Sequence, residues 1–299
     1  MKVLISGVIF LFVISVSVKT QNFWEWTEPA ALTDSISDNI NADLYFNWDF
    51  GDDNVFMVWE KSFDSISTAI YFDNILDTNA PIAVISDSAI QYTNPRIINA
   101  SNALYPDYQF HVLYETNQNG NIDIYCVTYL TDGSFTQAEA IVNTLSDELN
   151  FNVGVESLWW PGDEICKNVV AYIKNDSLFA IHQMQDGTEI YWSNEIFIDN
   201  PVNEMPLLSG ICYGSKLRYL KADPIENHIF SSWCDHNGNW NIPEVFYDST
   251  NCRNMNNILH RDGIIWSTYE DSVWKITHDN YYPGYYTYDI SKSTPFDPV

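Results

Sequence analysis

Phe110-His-Val-Leu-Tyr114-Glu115-Thr-Asn-Gln-Asn119-Gly120-Asn121-Ile-Asp123-Ile-Tyr125 sets two short runs of β-branched and aromatic residues around a polar turn. Asn and Gly both tolerate positive φ, so an Asn-Gly pair between two such runs predicts a β-hairpin. Downstream, Asp132-Gly133-Ser134 reads as a second turn, and Ala138–Val142 as the strand after it. Upstream, Asn94-Pro95-Arg96-Ile97 leads into the hairpin. A proline fits near the start of a strand, where its missing N–H costs little in the ladder. The whole stretch therefore predicts four short antiparallel strands.

The same unit recurs along the chain. The strand ending in an aromatic, often followed by an acid, appears as Val55-Phe-Met-Val-Trp59-Glu60 and as Phe110–Glu115. Weaker copies are Val169-Val-Ala-Tyr-Ile173-Lys174, Ile229-Phe-Ser-Ser-Trp233-Cys234 and Ile265-Trp-Ser-Thr-Tyr269-Glu270. Trp59, Tyr114, Trp233 and Tyr269 are read as equivalent and expected to be buried. The lead-in repeats as Ser37-Asp38-Asn39-Ile40-Asn41, Ser146-Asp147-Glu148-Leu149-Asn150 and Met205-Pro206-Leu207-Leu208. Units are expected to start near residues 41, 94, 150, 203 and 258.

A four-stranded unit of this size cannot bury both faces alone. Units set radially bury them against one another and leave only short edges. The expected fold class is all-β, a β-propeller of about five four-stranded antiparallel blades. A sandwich or an open β-solenoid would use similar strands, but four strands every 40–60 residues suit a propeller best. Trp24–Thr33 is strand-like and precedes the first full unit. It is expected to complete the last blade and close the ring.

Location is read from the first residues. Met1-Lys2 precedes an uncharged run from Val3 to Val18, and polar Lys19, Thr20, Gln21 and Asn22 follow. That is the pattern of a secretory signal peptide, with a cut between Ser17 and Gln21. Residues 1–20 are assigned as signal peptide and 21–299 as a single propeller domain, secreted to the medium or the cell surface. Later stretches are too short or too polar to span a bilayer. The chain carries a formal charge of −27. Without residues 1–20 it has 11 basic and 40 acidic side chains, −29. Such a field repels phosphate backbones and excludes nucleic acid as a partner. It also keeps an exported protein soluble, and a monomer is expected.

Five cysteines stand at 126, 166, 212, 234 and 252, none as Cys-x-x-Cys. An odd count leaves at least one thiol without an intrachain partner. Cys234 and Cys252 are the nearest pair, placed for adjacent strands.

The segments SDNINADL (37–44), VFMVWEKS (55–62) and YETNQNGNIDIY (114–125) resemble the repeats of secreted bacterial propellers of the TolB-like and sialidase-like (BNR) families. The resemblance covers roughly residues 24 to 290. It implies a propeller and, in many Bacteroidetes proteins of this kind, a C-terminal sorting tail for type IX secretion. The chain departs from the pattern twice. Asp49-Phe50-Gly51 has the centre of an Asp box without its flanks, and Pro295-Phe-Asp-Pro-Val299 is not preceded by a sorting tail.

No catalytic constellation stands out. Sialidase chemistry needs clustered arginines for a carboxylate, and Arg96, Arg218, Arg253 and Arg261 show no spacing that gathers them. Other glycoside hydrolases need two carboxylates about 5–10 Å apart. Forty acids make such a pair common and uninformative, yet this class is the one enzyme reading left open. Asp49, Asp52 and Asp53 crowd one loop and offer hard oxygen ligands for Ca²⁺, or simply a solvated acidic turn. Trp159, Trp160 and Asp163 form an unusual loop, suited to stacking on sugar rings or to plugging the ring's side. The reading is a non-enzymatic propeller that binds a glycan or an extracellular protein at its loops. The alternatives are a secreted glycoside hydrolase and a structural cell-surface component.

Overall fold

The computed structural model describes residues 38–47, 54–63, 68–76, 80–100, 105–156, 167–186, 189–202, 204, 206–211, 214–223, 226–235, 238–247, 252–257, 264–270 and 273–279. Every regular element among them is a β-strand.

Sheet 1 runs β1 (Asp38–Asn47), β2 (Asn54–Ser62), β3 (Thr68–Asn74), β4 (Ile82–Ser86). Sheet 2 runs β5 (Tyr92–Asn99), β6 (Tyr108–Thr116), β7 (Asp123–Leu130), β8 (Glu139–Val142). In sheet 3, β9 (Leu149–Glu156), β10 (Lys167–Lys174) and β11 (Ser177–Asp186) follow one another. The outer side of β11 is shared by β12 (Glu189–Trp192) and β13 (Ile196–Asp199). Sheet 4 is β14 (Leu207–Ile211), β15 (Gly214–Asp223), β16 (Glu226–Asp235), β17 (Glu244–Tyr247). Sheet 5 has three described strands, β18 (Arg253–Asn257), β19 (Ile264–Glu270) and β20 (Val273–Asp279).

All pairings are antiparallel between sequence neighbours, apart from the divided edge of β11. The first strand of each sheet packs beside the first strand of the next: β1 on β5, β5 on β9, β9 on β14, β14 on β18. First strands are thus innermost, and the sheets radiate as blades of a propeller. The third and fourth lead-ins, Ser146–Asn150 and Met205–Leu208, run into β9 and β14. The fifth unit begins at Arg253, earlier than its expected start near 258.

The core lies between blades. Phe56, Val58, Ile70 and Phe72 of sheet 1 meet Phe110, Val112 and Tyr114 of sheet 2. Leu113, Ile124 and Cys126, from the other side of sheet 2, meet Val170, Tyr172 and Ile181 of sheet 3. Val169, Ala171 and Ile173 meet Leu217 and Tyr219 of sheet 4. Leu220 and Ile229 meet Cys252 and Trp266 of sheet 5. Side chains alternate across a strand, so successive residues serve opposite neighbours. That is why β6 and β10 read as continuous apolar runs. Near the axis the blades approach closely: a Cβ added at Gly154 of β9 would lie 3.0 Å from Leu208 Cβ of β14.

A bulge recurs in the inner strands. In β1, β5 and β9 the ladder slips by a residue, and Asn41, Asn94 and Asn150 adopt φ of 51°, 52° and 53° there. Asn enters the left-handed region more readily than most residues. Opposite the three bulges stand Trp59, Tyr114 and Tyr172; in sheet 5, Trp266 faces the same slip. This corrects the sequence alignment of the repeats. Trp59 and Tyr114 are buried as expected. The third member is Tyr172, one residue before Ile173. Trp233 sits on the third strand of its blade and is 49% exposed. On β15, Tyr219 pairs with Phe230 as Trp59, Tyr114 and Tyr172 pair with Tyr71, Tyr125 and Phe179, which puts it in the corresponding place. Tyr269 is displaced from it by three residues, and its side chain lies outside the described residues.

Cys234 on β16 and Cys252 just before β18 are buried thiols, without a disulfide between them. Trp24–Thr33 and the signal segment lie outside the described residues. Among the described residues, no helix is long and apolar enough to cross a membrane.

Candidate functional site

Two sequence-predicted groups fall outside the described residues: Trp159, Trp160 and Asp163 in the connection from β9 to β10, and Asp49, Asp52 and Asp53 in that from β1 to β2. Among the described residues, no cluster of three or more His, Cys, Asp or Glu side chains is arranged to hold a metal. Of the four arginines, Arg96 and Arg218 have described side chains, and these stand on different sheets. Arg96 is on an inner strand and donates to the Pro95 carbonyl at 2.8 Å. Arg218 is buried on β15, its guanidinium 5.1 Å from the centre of the Phe246 ring.

The structure places a cleft of about 580 Å³ between sheets 2 and 3. One wall comes from β6, β7, β8 and the turn before β6: Tyr105, Tyr108, His111, Thr128 and Glu139. The other comes from β11 and β12: Gln183, Ile190, Tyr191 and Trp192. It exists because β12 pairs only with the far end of β11, Gln183–Asp186, and so projects beside the neighbouring blade. Tyr105 and Tyr108 stack, with centroids 4.8 Å apart and planes 16° from parallel. Tyr191 is 49% exposed.

The floor is a buried hydrogen-bond chain whose direction is forced. Asn168 Nδ2 donates to the Asn99 carbonyl at 3.0 Å, an acceptor that admits no ambiguity. The same amide nitrogen donates to Gln183 Oε1 at 2.8 Å. Gln183 Nε2 then donates to His111 Nε2 at 3.1 Å. His111 Nδ1 must carry the ring proton and donate to Thr128 Oγ1, 2.9 Å away. The imidazole is neutral in this arrangement, and burial pushes its pKa down to about 4. The floor thus offers fixed amide, imidazole and hydroxyl groups, and the walls offer aromatic rings. Among the lining residues Glu139 is the one carboxylate.

A second group of polar residues lies at the inner bulges. Glu60 accepts from Asn41 Nδ2 at 2.9 Å and from the Asn94 backbone N–H at 3.4 Å. Glu115 accepts from Asn94 Nδ2 at 2.9 Å and from the Phe151 N–H at 3.5 Å. Each carboxylate therefore ties its own blade's bulge to the next. Burial raises the pKa of both, against the opposing effect of these bonds. Asp43, on β1, accepts from the Ile97 N–H at 3.0 Å; burial raises its pKa too, and the Arg96 charge opposes the rise.

No family model matches the chain, and no curated protein matches it. Among solved structures it is similar to a protein of the GH130 family of mannoside phosphorylases, described as containing glycoside hydrolases that target β-1,2 mannosidic linkages in Candida mannan. The two share 11% identity and a TM-score of 0.43 over 82% of this chain and 84% of that one. A protein of Bacteroides ovatus ATCC 8483, provisionally described as a glycoside hydrolase, shares 9% identity and a TM-score of 0.41 over 87% and 89%. Likeness at this level has no bearing on chemistry.

Proposed function

We propose that this chain is an exported glycan-binding propeller whose ligand occupies the cleft between sheets 2 and 3. The observation that carries this reading is the pairing of aromatic walls with a preordered polar floor. Sugars present C–H faces that pack on rings and hydroxyls that need fixed partners; pockets of a few hundred Å³ with few, well-placed polar groups are the usual form of small-ligand sites. Tyr191 is exposed on the short strand β12, so truncating it removes a ring without opening the core. In calorimetric titration against an oligosaccharide identified on a glycan array, Tyr191→Ala should weaken binding at least tenfold and leave the melting temperature within a degree or two. Unchanged affinity in both Tyr191→Ala and Trp192→Ala would move the ligand elsewhere.

A glycoside hydrolase is the second reading. It is favoured by Glu60 and Glu115, which meet on the two sides of Asn94 and both have raised pKa values. A general acid needs such a shift. Release of reducing sugar that is lost in Glu115→Gln, yet retained in Tyr191→Ala, would select it over binding alone.

A further inference from the structure

The turn between β6 and β7 and the connection from β8 to β9 meet at the edge of sheet 2 that faces sheet 3. Ile122 N–H donates to Asp147 Oδ1 at 2.8 Å, and Glu148 N–H donates to the Ile122 carbonyl at 2.7 Å. Between them stands Asn121. Its amide nitrogen is 2.5 Å from Asp123 Oδ1, 3.0 Å from the Thr144 carbonyl and 3.3 Å from the Ser146 carbonyl. Two N–H bonds cannot serve three oxygens fully, so the position is richer in acceptors than an amide satisfies.

Glu148 adds an independent observation. It is fully buried, one oxygen held by the Thr144 hydroxyl, while Oε2 has no hydrogen-bond partner. Buried polar atoms are nearly always paired, and an exception needs a cause. Asp123 is also fully buried; burial raises the pKa of Glu148, and the nearby Asp123 charge adds to the rise. The nearby cation, Lys174, is bonded to Glu195. Protonating Glu148 removes a charge but leaves its oxygen without a partner and Asn121 crowded.

We propose that Asp123 and Glu148, with Asn121 turned to present Oδ1 and the carbonyls of Thr144 and Ser146, form a calcium site. One divalent ion supplies the missing partner of Glu148, balances two buried carboxylates and explains the excess of oxygens around Asn121. The donors are all oxygen, without thiol or imidazole, which selects a hard cation over zinc. Backbone carbonyls and an irregular set favour Ca²⁺ over Mg²⁺, which demands near-ideal octahedral geometry. Bound there, the ion fixes the passage from one blade to the next, and binding to the folded state alone raises stability by mass action.

The test uses the full chain stripped with a chelator. Tb³⁺ is the first probe, since Tyr125, whose hydroxyl is 2.9 Å from Asn119 Nδ2, lies beside the site to sensitise its emission. The expected result is Tb³⁺ emission displaced by Ca²⁺, with a calcium-dependent rise in melting temperature. Glu148→Gln should lower calcium affinity at least tenfold, and Asn121→Asp, which adds an anionic oxygen, should raise it. A combined Asp49→Asn, Asp52→Asn, Asp53→Asn variant should bind as the parent does. Absence of calcium binding overturns the assignment. So does binding that Glu148→Gln and Asn121→Asp both leave unchanged, or that the triple variant abolishes.

Discussion

At the scale of single residues, His111 carries the clearest consequence. Its folded pKa is about 4, below the ordinary histidine value near 6.5. Between those values the unfolded chain binds a proton that the folded chain does not. Stability therefore rises with pH through this window and is lost as pH falls from about 6.5 toward 4, by up to about 3 kcal/mol for this group. Glu60 and Glu115 act oppositely: their raised pKa values give a contribution present below about 4.5 and lost as pH rises through the folded values. Comparing the parent with His111→Gln isolates the imidazole. Denaturant titrations at pH 7 and pH 5 should show a smaller acid loss in the variant; equal losses would mean that His111 is protonated in the fold. Little of this environment was legible beforehand. His111 is a single polar letter in an apolar run, and its partner Gln183 lies 72 residues away. Only blade packing brings them together. Tyr172 is one letter from the position the repeat indicates, because a bulge shifts register without changing composition.

At the scale of the element, the inner-strand bulge is the repeated device. Asn94 does two things there: its backbone takes a left-handed conformation, and its amide donates to buried Glu115 at 2.9 Å. These separate by substitution. Asn94→Gly keeps the backbone freedom and loses a bond to a charged group, about 1.5–3 kcal/mol. Asn94→Ala loses the bond and adds the left-handed penalty, a further 1 kcal/mol or so. Chemical denaturation should rank parent, glycine, alanine in falling stability; equal values for the two variants would mean that the alanine chain relaxes the bulge. The sequence shows the lead-ins Ser37–Asn41, Asn94–Ile97 and Ser146–Asn150 as a repeat without showing why asparagine recurs. It also hid β15. Lys216, Arg218 and Lys221 make Gly214–Asp223 read as polar, so in the sequence the next apolar strand, ending at Trp233, takes its place. In the fold those charges are accommodated: Arg218 packs on Phe246, and Lys221 bonds Asp199 of sheet 3 at 2.6 Å. Asn237-Gly238-Asn239 consequently lies between third and fourth strands, whereas Asn119-Gly120-Asn121 lies between second and third.

At the scale of the whole molecule, the question is how the ring closes. The all-β class, the antiparallel four-strand unit and the count of five were legible because sheets 2, 3 and 4 are buried on both faces, which imposes dense apolar strands at a fixed period. Closure leaves no such mark. Sheets 1, 2 and 4 each carry a fourth strand on their third. Among the described residues sheet 5 ends at β20, its third strand, and a strand from the other terminus would fit beyond it. Trp24–Thr33 is expected to take that place. The alternation of Trp24 and Trp26 with Glu25 and Thr27 in the sequence is that of a half-buried strand, and pairing there would cover the outer ladder of β20. A strand donated across the ring couples the two ends of the chain, so their stabilities should not be separable. Deleting residues 21–34 should then lower hydrogen-exchange protection in β19 and β20 as strongly as in β1 and β2. Protection confined to its parental level in 264–279, with loss only in sheet 1, would place the N-terminal segment on its own blade and require sheet 5 to be completed from elsewhere.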